Sequence, residues 1–253
     1  MKPKYISLSV LFLSLIMLVP SAAAAAHRSP SSLEIVPSAG DPHLPTADVL
    51  LDAGHGGIDG GTFEGNILEK DINLQVALLL RNKLTSRNVD CVLNRFGDYA
   101  LSEENRWQGT KSRHLRDLGQ RTGLPKMLEP SAVVSIHVNW TRNSRRYGPL
   151  VLYQPNNPKS LLLARTIQAH LNQDAGTSNQ PFPGKTYYLL KKIEAPSVIV
   201  EIGFLSNPSD RRRLTNPEDQ KKIAEALASA IWNYLLLEEG LPNGSAEAIP
   251  VHS

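Results

Sequence analysis

The chain has very little cysteine, since Cys91 is the one cysteine among 253 residues. A single thiol excludes an intrachain disulfide framework, a cysteine-rich zinc finger and an iron–sulfur cluster. Excess charge of one sign is lacking as well, because 27 Lys and Arg oppose 24 Asp and Glu, for a formal charge of +3. Nucleic-acid binding needs a concentrated basic face, so we expect no nucleic-acid partner.

No residue type dominates the composition, and the sequence has no internal repeat. The chain is 41% hydrophobic, 20% charged and 6% aromatic. These values exclude a collagen, a coiled coil and a wholly disordered chain. The length allows one large domain or two small ones.

The amino terminus has the layout of a secretory signal peptide. Lys2 and Lys4 form a positive region, an apolar and serine-containing run follows from Ile6 to Val19, and Ala22–Ala26 offers small residues for cleavage. The run is shorter than the roughly 20 residues that span a bilayer, which favours a cleaved signal over residues 1–26 against the alternative of an uncleaved anchor. Either way, we expect the protein to act beyond the cytoplasmic membrane.

Two segments lack the periodicity of folded elements. Residues 27–46 are rich in proline and serine, as in a linker, and residues 239–253 contain the glycine, proline and Asn-Gly signals of a flexible tail. Between them, residues 47–238 have the size of one ordinary domain.

Within that domain, six short β-rich runs alternate with four longer helical patterns. Several runs are apolar throughout, as in strands that are covered on both faces. The alternation predicts an α/β fold, with a central mixed, mostly parallel sheet of about six strands flanked by helices. The predicted strands are 47–53, 89–94, 132–137, 149–154, 186–190 and 197–202, and the predicted helices are 71–86, 112–122, 159–173 and 219–237.

A glycine-rich segment, DAGHGGIDGG at residues 52–61, follows the first predicted strand. It lacks the Gly-Lys-Ser/Thr of a phosphate-binding loop, and Asp59 stands where a dinucleotide-binding loop needs its third glycine. What remains is His55 at the end of a buried strand, in a backbone that is free to turn tightly. Ligands of open α/β sheets bind at this end of the strands.

Two further ionisable residues close apolar runs in the same way. His137 follows residues 132–136, and Glu201 follows residues 197–200. A single histidine at such a place is more often a hydrogen-bonded core residue. Burying two histidines and a glutamate on one rim is costly unless something pairs them, and a divalent metal does so. With no thiolate available, imidazole and carboxylate ligands favour Zn²⁺ or a similar metal.

Glu69, at the start of the first predicted helix, has two interpretations. Catalytic zinc sites have three protein ligands and keep one position for water, and Glu69 is a candidate for the third ligand. An acid in the first turn of a helix is also favoured by the helix dipole alone. The residues leave both interpretations open.

Five segments, in this order and spacing, resemble the zinc-dependent N-acetylmuramoyl-L-alanine amidases of the type-3 amidase family, over about residues 48–236. The resemblance implies a zinc exopeptidase-like fold and one Zn²⁺ per chain. It implies that His55, Glu69 and His137 are the metal ligands and that Glu201 is the catalytic residue. The segments are LLDAGHGGIDGGT (Leu50–Thr62), LEKDINL (Leu68–Leu74), NRFGDYAL (Asn94–Leu101), SIHVN (Ser135–Asn139) and VEIGFLSNPSD (Val200–Asp210).

The activity that this resemblance implies is hydrolysis of the amide between the lactyl group of muramic acid and L-alanine in peptidoglycan. Zinc lowers the pKa of its bound water towards about 7 and polarises the carbonyl, while Glu201 passes the water proton to the leaving nitrogen. We interpret Arg95 and Arg121 as structural residues without a chemical role. Trp140 stands where the family has a small residue, and we interpret it as part of the substrate groove.

The stretch Gln108–Arg121 resembles the sporulation- and germination-specific amidases of endospore formers. This implies spore cortex peptidoglycan as the substrate, the cell wall or spore intermembrane space as the location, and a functional partnership with a muramic acid deacetylase in forming muramic δ-lactam. The alternatives are a general autolysin of the vegetative wall, a zinc peptidase that cuts within the stem peptide, and a non-catalytic wall-binding module. Retention of all four site residues argues against the last.

Overall fold

The computed structural model describes residues 47–104 and 110–240, which form an α/β domain. The predicted signal peptide and linker, residues 105–109 and residues 241–253 lie outside the described part. Within that part, no helix combines the length and the apolar character needed to cross a membrane. The elements are β1 (Val49–Ala53), β2 (Phe63–Glu64), β3 (Ile67–Leu68), α1 (Glu69–Thr85), β4 (Cys91–Leu93), α2 (Leu101–Glu104), α3 (Arg113–Leu128), β5 (Ala132–Asn139), β6 (Leu150–Tyr153), α4 (Pro158–Ala175), β7 (Phe182–Pro183), α5 (Tyr188–Lys192), β8 (Ser197–Phe204), α6 (Pro208–Thr215) and α7 (Pro217–Gly240).

A six-stranded sheet lies at the centre of the domain, in the order β4-β1-β5-β8-β6-β7. Strands β4, β1, β5 and β8 are parallel, β6 is antiparallel to β8, and β7 is parallel to β6. The prediction of a mixed, mostly parallel sheet of six strands is therefore confirmed. Every residue of β8 is buried, which explains why its sequence is apolar without alternation.

Helices cover both faces of the sheet, and alternate strand residues point into two separate cores. Leu51 of β1 belongs to the larger core with α1, α4 and α7, whereas its neighbour Leu50 belongs to a smaller one with α3 and α5. Helix α7 supplies Ile223, Leu227 and Ile231 to the larger core at helical spacing, and all three are fully buried. The strand ends are left for the loops, and these loops form the site.

The predicted strand 186–190 is wrong, because this segment begins the short helix α5. The amide of Lys191 donates to the carbonyl of Tyr187 at 3.2 Å, and the amide of Ile193 donates to that of Leu189 at 3.0 Å. Leu189 and Ile193 are buried four residues apart, the spacing of one helix face. The edge of the sheet is instead occupied by β7, where Pro183 is tolerated because an edge strand has an unpaired side.

The bounds of all four predicted helices also differ from the observed ones, and α1 and α3 illustrate this. Helix α1 begins at Glu69 rather than Asp71, which makes Glu69 its first residue. Helix α3 continues past Thr122 and through Pro125, and it ends where Glu129 adopts a left-handed backbone with φ of 43°. The proline removes one backbone donor near the end of the helix, and the helix still continues to Leu128.

Candidate metal centre

The candidate site lies at the carboxyl ends of the central strands. His55 follows β1 by two residues, Glu69 opens α1, and His137 lies in β5. One ligand atom from each side chain lies within 4.8 Å of the other two. The Glu69 Oε1 atom is 3.3 Å from His55 Nε2 and 3.0 Å from His137 Nδ1. The structure thus brings together the three residues predicted as ligands, and their binding of a metal stays a prediction.

The Glu69 carboxylate is buried and held in one orientation. Its Oε2 atom accepts from the amide of Thr62 at 2.7 Å, and its Oε1 atom accepts from the amide of Val138 at 2.9 Å. Burial alone would raise the pKa of Glu69, but the hydrogen bonds to His137 and His55 lower it well below its usual range. The group is therefore a fixed, ionised carboxylate.

The His55 ring is oriented by a second carboxylate. Its Nδ1 atom lies 2.8 Å from Asp59 Oδ2, which turns Nε2 towards Glu69. Burial alone would lower the pKa of His55, but the hydrogen bonds to Asp59 and Glu69 raise it to about 10. The cluster therefore attracts positive charge. A divalent cation meets the same demand and leaves the imidazoles neutral, as metal ligands must be, and two imidazoles with one carboxylate suit zinc.

Two buried arginines hold the turn that carries His55. Arg95 donates to the carbonyls of Ala53 and Gly54 at 3.0 and 3.1 Å. Arg121 donates to the carbonyls of Ala53 and His55 at 3.0 and 2.8 Å. Each guanidinium presents several donors in a fixed geometry, so the backbone here is held from two sides. These contacts are of the structural kind predicted for both arginines.

Two glycines give the site its close packing. A Cβ atom on Gly54 would lie 2.4 Å from His137 Cε1, and one on Gly61 would lie 2.5 Å from Glu69 Oε2. Gly61 also has φ of +67°, which L residues rarely adopt. The glycine-rich segment therefore lets the backbone approach the side chains of the candidate ligands.

Glu201 lies in β8 beside His137, with which it is paired in the sheet register. The residue is only 7% exposed, and its Oε2 atom has no hydrogen-bond partner among the described residues. Burial raises the pKa of Glu201 to about 7. A buried polar atom without a partner is rare and calls for an explanation, and a carboxyl group that titrates near neutrality suits general acid–base catalysis.

A groove of about 600 Å³ contains all four of these side chains. Helix α3, the end of β5 and the start of α5 contribute most of the remaining lining residues, and Trp140, which directly follows β5, is among them, as predicted. The loop after Trp140 carries three exposed arginines that do not line the groove, Arg142, Arg145 and Arg146. The lining residues are His55, Asp59, Thr62, Glu69, His114, Asp117, Leu118, Arg121, His137, Val138, Asn139, Trp140, Thr186, Tyr187, Tyr188, Leu189, Ile199 and Glu201.

The sequence analysis missed two residues that support the site. Asp59 orients His55, and Asn73 donates to Glu69 Oε1 at 3.3 Å and to the carbonyl of Gly54 at 3.2 Å. The available signal for Asn73 was its position four residues after Glu69, on the same helix face. Asp59 offered none of that kind, because its contact depends on the turn between the two residues.

The fold and the site together define a class of protein: an α/β domain with a candidate mononuclear metal centre at the strand ends. Comparison with known sequences makes the class specific. The N-acetylmuramoyl-L-alanine amidase family matches residues 49–233, and the chain belongs to that family. It is a hydrolase that cleaves the amide between N-acetylmuramic acid and L-alanine, which confirms the predicted family and activity.

Individual relatives agree with this assignment. The germination-specific N-acetylmuramoyl-L-alanine amidase of Bacillus subtilis (strain 168) is 32% identical over 195 residues, or 77% of this chain and 81% of that protein. The amidase LytC of the same organism is 28% identical over 190 residues, or 74% of this chain and 35% of LytC. Among solved structures, the CwlD amidase of Clostridioides difficile, in complex with the GerS lipoprotein, is similar with a TM-score of 0.71 and 34% identity, over 76% of this chain and all of that one.

Proposed function

We propose that this amidase is zinc-dependent, with one Zn²⁺ held by His55, Glu69 and His137. The observation that carries the proposal is the Glu69 carboxylate, because one of its oxygen atoms lies within 3.3 Å of a nitrogen atom of each ring. When bound at such a site, zinc lowers the pKa of a coordinated water towards about 7 and polarises a carbonyl group. Asp59 supports the proposal, since histidine ligands usually donate their second nitrogen to a carboxylate.

Glu201 is the proton carrier in this proposal. It takes a proton from the water that attacks the lactyl carbonyl carbon, and it delivers that proton to the alanine nitrogen as the C–N bond breaks. The products are a free lactyl carboxylate on the glycan and a peptide with a free L-alanine amine. A pKa of about 7 allows the carboxyl group to accept and to release a proton at neutral pH.

The test combines product identification with metal analysis. On purified peptidoglycan we expect intact glycan strands and peptides that begin with L-alanine, about one zinc per chain, and loss of activity on chelation. Peptides that lack the L-alanine residue would indicate a peptidase that cuts within the stem peptide. A full complement of metal in a His55→Ala, His137→Ala double variant would overturn the assignment of the ligands.

The setting we propose is the spore cortex, beyond the cytoplasmic membrane. Its support is the similarity to an amidase named as germination-specific and the resemblance of residues 108–121 to such enzymes. Export rests on the signal-peptide pattern of residues 1–26. A muramic acid deacetylase as functional partner stays a prediction, and the CwlD structure pairs that amidase with a lipoprotein instead. The alternative setting is the vegetative wall.

A further inference from the structure

Three exposed aromatic side chains line the groove beside the candidate metal centre. Trp140 directly follows β5, three residues beyond His137, and Tyr187 and Tyr188 lie at the start of α5. They are 44%, 39% and 37% exposed. Among the described residues, none of the three side chains makes a hydrogen bond that would explain its position. Clustered exposed apolar surface in a groove marks a binding site.

The groove has two chemically different regions. Helix α3 contributes the polar side chains of His114 and Asp117. Asp117 Oδ2 accepts from Arg121 Nε at 2.6 Å, and Arg121 donates to the carbonyl of His55 at 2.8 Å, so this part of α3 lies on the His55 side.

Tyr187 lies in the other region, near Glu201. It directly precedes α5, whose Leu190 belongs to a buried cluster with Ile199 of β8, two residues before Glu201. Trp140 lies in this region too, since the amide of Leu205, which follows β8, donates to the carbonyl of Asn139 at 2.8 Å. Polar side chains of α3 therefore lie by the His55 side of the metal centre, and aromatic side chains lie by the Glu201 side.

The substrate also has two unlike parts, which meet at the scissile amide. The glycan is a chain of pyranose rings, and each ring has flat faces of apolar C–H groups. The stem peptide carries carboxylates, amides and an amine. Aromatic rings offer rigid apolar area at small entropic cost, which suits a pyranose face, whereas His114 and Asp117 suit the peptide.

We propose that Trp140 is the glycan-binding platform of the groove, with its indole ring stacked on a pyranose ring of the substrate while α3 contacts the stem peptide. The proposal rests on the proposed function for the identity of the substrate. Trp140 is a specificity-determining residue here and takes no part in the chemistry. Because the stacked ring is unchanged by the reaction, its contact stabilises ground state and transition state equally and therefore acts on KM.

The first test is binding of a peptide-free tetrasaccharide of alternating N-acetylglucosamine and N-acetylmuramic acid, which lacks the amide between the lactyl group and L-alanine. The full chain contains three tryptophans, Trp107, Trp140 and Trp232, so indole N–H resonances can be followed individually after assignment with the Trp140→Phe variant. We expect the tetrasaccharide to shift the Trp140 resonance. In Trp140→Ala its affinity should fall about tenfold, which corresponds to roughly 1.4 kcal/mol.

Trp232 provides the matched control. It is 41% exposed, close to the value for Trp140, but it lies on α7 outside the groove. Trp232→Ala should leave the affinity for the tetrasaccharide unchanged, and Trp140→Phe should retain most of it because an aromatic face remains. An equal loss in Trp140→Ala and Trp232→Ala would overturn the proposal.

The second test uses the free stem tripeptide and steady-state kinetics. The tripeptide should bind equally well to the wild type and to Trp140→Ala. On uncrosslinked glycan strands with peptides, Trp140→Ala should raise KM about tenfold and leave kcat within about twofold. If the tripeptide shifts the Trp140 resonance and the tetrasaccharide does not, or if neither does, the proposal is wrong. A wild type that releases no L-alanine termini would instead refute the proposed function, whatever the sugar binding.

Discussion

At the scale of single residues, Glu69 and Glu201 are two buried glutamates in one groove with opposite surroundings. Glu69 accepts from two backbone amides and lies against two imidazoles, and its pKa is well below the usual range. Glu201 has an oxygen atom without a partner among the described residues, and its pKa is raised to about 7. Titratable groups whose environments separate their pKa values in this way take different roles in catalysis.

Replacing each glutamate by glutamine tests the proposed roles of Glu201 as proton carrier and Glu69 as metal ligand. Glu201→Gln should keep the fold and the zinc, while turnover falls by roughly 10²-fold or more, because a general acid–base group is lost. Glu69→Gln should weaken retention of the metal, because it removes the one anionic ligand of the proposed set. Metal content and turnover on peptidoglycan measure both effects. Loss of metal in Glu201→Gln together with its retention in Glu69→Gln would reverse the assignment.

Gly61 and Gly65 form a natural pair for testing the close packing of the site. Both have a left-handed backbone, with φ of +67° and +59°, so alanine at either position costs about 1–2 kcal/mol of backbone strain. Only a Cβ atom on Gly61 meets the site, at 2.5 Å from Glu69 Oε2, whereas one on Gly65 has no atom within 4 Å. We expect a loss of activity of about 10²-fold in Gly61→Ala, as for a misplaced catalytic group, and near-normal activity in Gly65→Ala.

Activity assays and denaturant unfolding of both variants check this expectation. Similar losses of stability with different losses of activity would agree with it. Equal losses of activity would show that backbone strain, rather than displacement of the Glu69 carboxylate, is responsible.

The residues of the candidate site that follow predicted strands could be identified from the sequence. His55, His137 and Glu201 each close an apolar run, and the ends of parallel strands meet at one edge of a sheet. The residue pattern around Glu69 did not decide between a metal ligand and a structural acid, because the helix dipole alone favours an acid in the first turn of a helix. The contact between Asp59 and His55 arises from the left-handed backbone of His55, with φ of 61°, which no pattern in the sequence indicates.

At the scale of elements, a buried polar network ties β1 to α3 and β5. Asp52 of β1 accepts from Arg121 of α3 at 2.5 Å and from the hydroxyl of Ser135 in β5 at 2.5 Å. It also accepts from Asn94. Since Arg121 holds the carbonyl of His55 as well, the network connects the packing of α3 to the site.

Asp52→Ala should destabilise the domain by about 2–4 kcal/mol. It removes one of the two carboxylates that pair with buried Arg121, and it leaves the side chains of Ser135 and Asn94 without this acceptor. Lys221→Ala is the control, since its ion pair with Glu218 is exposed and such pairs contribute about 0–1 kcal/mol. The free energy of unfolding in denaturant measures both. A loss below about 1 kcal/mol in Asp52→Ala would contradict a structural role for the network.

The difference in the free energy of unfolding between the wild type and Asp52→Ala should also depend on pH. Burial alone would raise the pKa of Asp52, but Arg121 and Ser135 more than offset it, so the pKa lies below its ordinary value of 3.8. The stability that the ionised group contributes is therefore fully present above that value and is lost as the pH falls through the folded-state pKa. The free energies of unfolding of the wild type and of Asp52→Ala should therefore approach each other as the pH falls below 3.8.

The elements themselves were predictable where their patterns are long. The apolar stripe of α7 and the continuous apolar run of β8 identified both, since periodicity over many residues outweighs local ambiguity. A five-residue segment such as 186–190 fits both a strand and a helix, and its packing against α3 and β8 favours the helix. The two-residue strand β7 has too few residues to show any period.

At the scale of the whole molecule, the spore setting has a direct test in the host. Deletion of the gene should give spores that form normally but have cortex without muramic δ-lactam and fail to complete germination. Restoring the wild-type gene should reverse this, and a Glu201→Gln gene should not, since the proposed proton carrier is absent. Chained vegetative cells with unchanged cortex would instead indicate an autolysin of the vegetative wall.

The central position of β8 has a consequence for how the enzyme is made. Val134 of β5 pairs with Val198 of β8, 198 − 134 = 64 residues later, and such distant pairings form late because the intervening chain must first be brought together. A growing polypeptide that has not passed residue 196 lacks β8, which is one of the two middle strands of the sheet, and with it Glu201. Incomplete products of synthesis therefore have neither the complete sheet nor the proposed proton carrier, and under the proposed mechanism they cannot cut peptidoglycan.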